Sequence, residues 1–210
     1  MKRKIVREIG KTQRLSILEL LKRSTEGLPV TALASALTMS YMGVKAHCLS
    51  LHAKGYLETW RQPGNRGRPL MFYRLTMKAY ELFSEENNDL ALSLLTQSRQ
   101  LFGATAPQKL LMMHFRALTA KHRGEVKGTT PRERARSFAA LRDSEGALTQ
   151  FEEGPPWRII ESHNSLQPLL ATHPEIDALE SQMISEVIGI PIKREVTITA
   201  GIYRAIIMEK

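Results

Sequence analysis

Three polar side chains, Asn65, Arg66 and Arg68, stand close together in the stretch PGNRGR, which covers residues 63–68. The proline and the two glycines of this stretch are typical of a turn. Arg61 lies just before the turn, at the end of a strand-like run. Arginines at the tip of a hairpin can lie along a phosphate backbone or enter a minor groove, where the negative potential favours them. The chemistry that these residues indicate is binding of a polyanion.

A second group of side chains belongs to the helix-like run YMGVKAHCLSLHAKG, residues 41–55. Val44, Cys48 and Leu51 recur at i, i+4 and i+7, so we expect them to point inward. A lysine on the outer side can donate to guanine or phosphate, and Ala or Met can contact a thymine methyl. The candidate DNA contacts, including the predicted N-cap serine, are Ser40, Tyr41, Met42, Lys45, Ala46 and Ser50.

Metal binding and catalysis are not favoured by the remaining reactive residues. His47 and His52 are five positions apart, so a helix rotates them by about 140° and they do not converge on one ion. The one cysteine, Cys48, excludes an internal disulfide and a multi-cysteine metal site. The chain also has no Gly-rich phosphate loop and no nucleophile elbow. We therefore expect no metal, no cofactor and no enzymatic activity.

The elements that must position these residues follow in a recognisable order. Lys11–Ser24 has the leucine spacing of a helix, Val30–Leu37 is a second short helix, and the third helix ends at Gly55. The runs Tyr56–Arg61 and Leu70–Leu75 are the two strands of a hairpin. Helices followed by an arginine-tipped hairpin predict a winged helix-turn-helix in residues 1–80.

The net charge of the chain is concentrated in the same segment. The whole chain carries +9, whereas residues 1–80 contain 15 Lys and Arg against 4 Glu, a net +11, and the remainder is −2. Neutralising phosphates with Lys and Arg releases condensed counterions, so we expect double-stranded DNA as the partner. No apolar run is long enough to span a bilayer and no signal peptide is recognisable, which predicts a cytoplasmic protein without a membrane partner.

The rest of the chain is predicted to be mixed in structure, giving an α+β protein. Residues 81–128 are interpreted as a helical dimerisation region, including a helix over 107–122. Helices that follow a wing commonly join two chains, and a two-fold dimer is the default symmetry. Residues 123–134 are polar and are predicted to form an exposed loop. Residues 129–210 are predicted to be a small α+β domain. Thr130 is the predicted N-cap of its first helix, a later helix opens at His173-Pro174-Glu175 and ends at Gly189, and a hairpin lies around Gly201.

Three segments together resemble a known family. RGRPLMFYRLT (66–76), ESHNSLQPLLATHPEIDALE (161–180) and VIGIPIKREVTITAGIYRAIIM (187–208) are similar to the iron–sulfur-assembly repressors of the SufR type. The resemblance implies a dimeric winged-helix transcriptional regulator. It also implies a cluster held by cysteines at the positions of Ser165, Asp177 and Ala205. None of these is a thiolate, and cluster irons are normally held by cysteine sulfur, so we expect no cluster here.

The sequence therefore predicts a homodimeric, sequence-specific regulator of transcription that binds double-stranded DNA. One alternative is a regulator that responds to a small molecule in a cavity of the C-terminal domain; the candidate lining residues are Trp157, Ile159, Met183 and Tyr203. Ordinary core packing is the other interpretation of these four apolar side chains. A second alternative is an adaptor that uses the winged helix to dock on another protein, although this explains the +11 segment poorly.

Overall fold

The computed structural model describes residues 12–24, 26–62, 70–83, 88–199 and 202–210. The fold is mixed α+β, with nine helices and two antiparallel sheets in the described residues. The chain forms two compact units, Met1–Ser84 and Glu85–Lys210. Within the described ranges, every helix is too short or too polar to traverse a lipid bilayer.

The first unit combines four helices with a three-stranded sheet in its described part. The third strand in chain order is the central strand of this sheet, and both pairings are antiparallel. The elements are α1 (Thr12–Arg23), β1 (Leu28–Pro29), α2 (Val30–Leu37), α3 (Tyr41–Ala53), β2 (Leu57–Gln62), β3 (Leu70–Leu75) and α4 (Met77–Glu81).

Two local features fix the course of the chain before α3. Gly27 has φ +83°, and a Cβ at this position would lie 2.3 Å from the carbonyl oxygen of Tyr73, so only glycine lets β1 pair so closely with β3. Thr38 ends α2 in the left-handed region, with φ 52°, and its backbone N–H donates to carbonyls of the last turn of α2. Gly27 thus fixes β1 at the start of α2, and Thr38 ends α2 three residues before α3 begins.

The core of the first unit is built from one face of each helix and one face of the sheet. The predicted inward residues Val44, Cys48 and Leu51 are fully buried, which confirms the helix phase assigned from their spacing. The largest fully buried side chains around them are Ile17, Leu18, Leu21, Leu33, Leu57, Tyr73 and Phe83.

The second unit packs helices against a four-stranded sheet, in which the last strand in chain order lies between the second and the third. Its elements are α5 (Asn88–Phe102), α6 (Ala106–Glu125), α7 (Pro131–Ser144), β4 (Thr149–Glu152), β5 (Arg158–Glu161), α8 (Gln167–Leu170), α9 (Glu175–Ile188), β6 (Ile192–Thr199) and β7 (Ile202–Glu209). The predicted boundary at residues 128 and 129 lies inside this unit, where Leu111 and Phe115 of α6 share a core with Phe138 of α7 and Met183 of α9.

The helix ends of this unit follow from capping residues. Thr130 caps α7: its hydroxyl accepts from the N–H of Glu133 at 3.2 Å, and the Glu133 carboxylate accepts from the N–H of Thr130 at 3.1 Å. Gly189 ends α9 with φ +86°. Both ends were predicted from the sequence, and the structure confirms them.

The exposed loop predicted over residues 123–134 is shorter in the structure. Helix α6 continues to Glu125 through Gly124, and α7 begins at Pro131, so the connection is confined to residues 126–130. A glycine inside a helix costs about 1 kcal/mol relative to alanine. The Nε of Arg123 donates to the carbonyl oxygen of Glu186 at 3.2 Å and so holds the end of α6 against α9.

Candidate nucleic-acid interface

Helix α3 carries the candidate DNA contacts on the side opposite its buried residues. It starts at Ser40, whose hydroxyl accepts from the N–H of Gly43 at 3.1 Å, as its sequence position predicts. At the other end, Nδ1 of His52 lies 2.7 Å from the carbonyl oxygen of Leu57 and ties the helix to β2. These two contacts set the position and rotation of α3, and hence the direction of its outer face.

The outer face of α3 is richer in apolar surface than its predicted contacts indicate. Met42 is 70% exposed, and Leu49, which was not among the predicted contacts, is 51% exposed. Leu49 lies seven residues after Met42 and four after Lys45, so helical spacing places all three on one face. Helix phase alone was therefore sufficient to find Leu49. Tyr41 and Ala46 are exposed on this face, whereas Lys45 and Ser50 are partly buried.

A depression of about 370 Å³ lies between α3, the start of α2 and the β2–β3 hairpin. It brings together Tyr41, Lys45 and Arg61, which the sequence predicted from two separate segments. Thr31 of α2 adds a hydroxyl, and exposed Leu70 and Met71 of β3 add apolar surface that sequence analysis missed. The remaining residues that line it are Pro29, Val30 and Tyr73.

The charge of this depression is positive. Lys45 and Arg61 line it, and no carboxylate does so among the residues that the structure describes. The nearest cross-strand ion pair on the hairpin joins Arg74 to Glu58, with Nε and Oε1 2.7 Å apart. Glu58 is thereby paired with Arg74, and it is not among the residues that line the depression with Arg61.

Three predicted contacts, Asn65, Arg66 and Arg68, lie outside the described residues. The two strands of the hairpin are described from the pair of Leu57 with Leu75 to the pair of Gln62 with Leu70. Trp60 anchors the hairpin, because its indole N–H donates to the carbonyl oxygen of Glu26 at 2.8 Å and its ring lies 5.1 Å from that of Phe72.

Two titratable groups sit inside the first unit. Burial raises the pKa of the Cys48 thiol to about 12, so the side chain is a neutral core residue at physiological pH, as predicted. Burial also lowers the pKa of Lys22 from 10.5 to about 7, and its ammonium lies 4.3 Å from the centre of the Phe83 ring. Neither group faces the depression.

The second unit contains a buried charge cluster that the sequence did not reveal. Its members are Arg142, Glu161, Glu180 and Arg194, joined by Asn164 and Tyr203. Arg142 donates to Glu161 at 2.9 Å and to Glu180 at 3.1 Å, and Arg194 donates to Glu180 and to the Tyr203 hydroxyl, both at 2.6 Å.

Burial and ion pairing act in opposite directions on the side chains of this cluster. Burial acts to raise the pKa of Glu180, whereas the charges of Arg194 and Arg142 act to lower it, and the effect of burial is the larger. Burial disfavours the Arg142 cation, yet the charges of Glu161 and Glu180 outweigh it and raise the pKa of that guanidinium. Two buried cations therefore face two buried carboxylates, an arrangement in which each charge is compensated.

The buried charge cluster lies near Ser165, Asp177 and Ala205, where the resemblance implies cysteines that hold an iron–sulfur cluster. Asp177 forms an ion pair with Arg194, and Ala205 is fully buried opposite Glu161 in the β5–β7 pairing. Ser165 is exposed, and its carbonyl oxygen accepts from the Asn88 side chain at 2.7 Å. In the described part of the chain, no group of His, Cys, Asp or Glu side chains is arranged to hold a metal ion.

The four residues predicted to line a ligand cavity are all buried. Trp157, Ile159 and Met183 belong to the hydrophobic core of the second unit, and Tyr203 belongs to the buried charge cluster. A separate depression reaches Met183 from the other side, between α6 and α9. The predicted cavity stays a prediction, made of side chains that pack as core.

The chain matches no family model, no curated protein and no solved structure.

Proposed function

We propose that the protein is a sequence-specific, double-stranded DNA-binding regulator of transcription that acts as a homodimer. The observation that carries the proposal is the depression beside α3. Tyr41, Lys45 and Arg61 converge there, none of the described residues that line it is acidic, and the segment holds the entire net positive charge of the chain. A concave basic surface beside an exposed helix face suits a phosphate backbone and a groove edge.

The order of elements in the first unit supports a winged helix-turn-helix. In this interpretation α2 and α3 are the helix-turn-helix, and the β2–β3 hairpin is the wing. The outer face of α3 enters the major groove, where Lys45 donates to guanine and Met42 and Leu49 contact thymine methyl groups. Arg66 and Arg68, at the tip of the wing, reach the flanking backbone or minor groove.

A homodimer is supported by exposed apolar side chains on α5 and α6. Of fourteen large hydrophobic residues exposed in the described ranges, seven lie on these two helices: Leu90, Leu94, Leu101, Phe102, Leu110, Met112 and Met113. Leu90, Leu94 and Leu101 share one face of α5 by helical spacing. Monomeric soluble proteins rarely expose large apolar patches, and a two-fold contact through this face of α5 would cover its leucines.

Two-fold symmetry then determines the form of the operator. Each protomer places one α3 in a major groove, so the site is an inverted repeat with half-sites about 34–36 Å apart, or a multiple of that distance. The SufR-type resemblance agrees with this architecture. The residues at its cluster positions indicate a regulator that works without an iron–sulfur cluster, and a preparation with the visible absorption of a cluster would contradict this part of the proposal.

A salt titration tests the proposal. Fluorescence anisotropy of a labelled random-sequence duplex should show binding whose log K falls linearly with log salt, with a slope of about −0.9 for each phosphate neutralised. A slope corresponding to several phosphates is expected. No binding at low salt, or binding that is independent of salt, would contradict DNA as the partner.

A protein-docking adaptor is a second candidate, because five of the exposed hydrophobic residues cluster at the same surface. They are Tyr41, Met42, Leu49, Leu70 and Met71. An adaptor predicts little binding to random duplex at any salt concentration, whereas a DNA-binding regulator predicts strong binding at low salt. The same titration therefore separates the two functions.

A further inference from the structure

We propose that the groove between α6 and α9 binds an organic monocarboxylate with an apolar body. The groove lies within the second unit and has a volume of about 360 Å³, inside the range of ligand sites in proteins. It shares only Met183 with the cavity predicted from the sequence. The inference is independent of DNA binding, because it rests on the second unit alone.

The floor of the groove is apolar. Phe115 of α6 and Met183 of α9 are buried beneath it, and Leu179 is half-buried. Thr119 also lies on the floor, but its hydroxyl donates to the carbonyl oxygen of Phe115 at 2.7 Å within its own helix. This hydroxyl is thus already hydrogen-bonded, and the floor offers contact area for hydrocarbon or an aromatic ring.

The rim of the groove is polar, and most of it is internally paired. Arg123 forms an ion pair with Glu186, with Nη2 and Oε2 3.2 Å apart. Gln182 also donates to Glu186 at 3.0 Å. Glu186 is the one carboxylate among the described residues that line the groove, and its pairing with these neighbours weakens its repulsion of an incoming anion.

Arg116 is the remaining cation of the rim. It is exposed, and within the described ranges it makes no ion pair or hydrogen bond. Its position, one residue after the buried Phe115, places a guanidinium at the edge of an apolar floor. Guanidinium binds carboxylate through two parallel hydrogen bonds, which fixes both the charge and the orientation of the ligand. The groove thus matches a molecule with one carboxylate and one apolar body.

Calorimetric titration of the full-length protein with two probes tests this site. The probes are 2-naphthoate, which is rigid, and decanoate, which is flexible, and 2-naphthamide and decanol are their neutral counterparts. We expect saturable binding of at least one carboxylate and at least about tenfold weaker binding of its neutral counterpart, because hydrogen bonds to charged groups are the stronger kind.

Two substitutions locate the binding. Arg116→Ala should weaken carboxylate binding by at least about tenfold, whereas Arg99→Ala, which removes an exposed arginine of α5 outside the groove, should leave it unchanged. Ala120→Trp keeps Arg116 but fills the groove, and it should abolish binding of both probes. Far-ultraviolet circular dichroism of each variant checks that the fold is intact.

The proposal is overturned if neither carboxylate binds the wild-type protein, or if the neutral counterparts bind equally well. Binding that survives both Arg116→Ala and Ala120→Trp would place the ligand elsewhere and also overturn it. If Arg116→Ala changes the sedimentation mass while no probe binds the wild-type protein, the groove is occupied by a second copy of the chain, and the proposed ligand is wrong.

Discussion

The ammonium of Lys45 lies 5.9 Å from the centre of the Tyr41 ring, one helical turn earlier on α3. This separation is within the range of a cation–π contact. The pair forms one wall of the depression that Arg61 also lines. Lys45 is thereby oriented along the outer face of α3, so its ammonium is presented to a ligand before the ligand binds.

Substitution of Lys45 should reduce the preference for the operator more than the affinity for DNA in general. We expect Lys45→Ala to cost about 1–3 kcal/mol on the best sequence and much less on random duplex, because one base contact is lost. Competition anisotropy with both duplexes measures the difference. Lys109→Ala removes the same charge from an exposed position of α6 and should change neither value. Equal losses on both duplexes would mean that Lys45 contacts only phosphate.

Arg66, which the sequence places in the wing, should behave in the opposite way. Arg66→Ala is expected to weaken binding on all sequences and to reduce the slope of log K against log salt by about 1, because a phosphate contact carries no base specificity. The salt titration of wild type and variant side by side measures this change. An unchanged slope would exclude Arg66 from the backbone contact.

Removing one charge from the buried cluster should destabilise the second unit strongly. Glu180→Gln leaves the buried Arg194 without its main counterion, for which we expect a loss of about 3–5 kcal/mol in the free energy of unfolding. Glu186→Gln, on the same helix, removes an exposed carboxylate and should cost at most about 1 kcal/mol. Urea denaturation of both variants measures the contrast. A similar small cost for both would mean that the cluster is not what holds α9 to β6.

Lys22 should make the stability of the first unit depend on pH. Its pKa is about 7 in the folded protein against 10.5 in an unfolded chain, so between these values the unfolded state binds the additional proton. The contribution of Lys22 to folding therefore becomes less unfavourable as pH rises through this window. We expect Lys22→Met to be more stable than wild type by at least about 1 kcal/mol at pH 7, and this advantage to shrink by pH 9.5.

Urea denaturation of wild type and Lys22→Met at both pH values measures this effect, and Lys109→Met is the exposed control. Its difference from wild type should not change with pH. An advantage of Lys22→Met that is the same at pH 7 and pH 9.5 would show that Lys22 titrates normally.

The apolar face of α5 should be required for the dimer. Leu94→Glu places a charge in the middle of the exposed leucines, and we expect it to yield monomers at micromolar concentration, where wild type sediments as a dimer. Thr96→Glu adds the same charge to the exposed surface of α5 away from these leucines, and it should remain dimeric. A monomeric wild type would contradict the homodimer itself.

Features that depend on nearby residues could be predicted from the sequence. Helix α2 has the predicted bounds, Val30–Leu37, and α1, Thr12–Arg23, lies within its predicted range. Ser40, Thr130 and Gly189 end or begin their helices as expected, because a cap requires only the few residues around it. The burial of Cys48 followed from helical spacing in the same way.

The buried charge cluster could not be predicted, because its members come from distant parts of the chain. Glu180 is 38 residues from Arg142 and 14 from Arg194, and the contacts depend on how α9 packs on α7 and β6. A lone glutamate on a helix is most often solvated, so nothing in its neighbours marks Glu180 as buried. Similarly, Thr31 and Met71 join the depression beside α3 only through the folding of α2 and β3 around it.

Selection of bound sequences from a random duplex pool with the purified protein decides whether it binds DNA with sequence specificity. We expect enrichment of an inverted repeat whose half-sites are one helical turn, or a multiple of it, apart, and weaker enrichment with Lys45→Ala. Recovery of a pool that is still random, from a protein that retains its fold, would contradict a sequence-specific DNA-binding function.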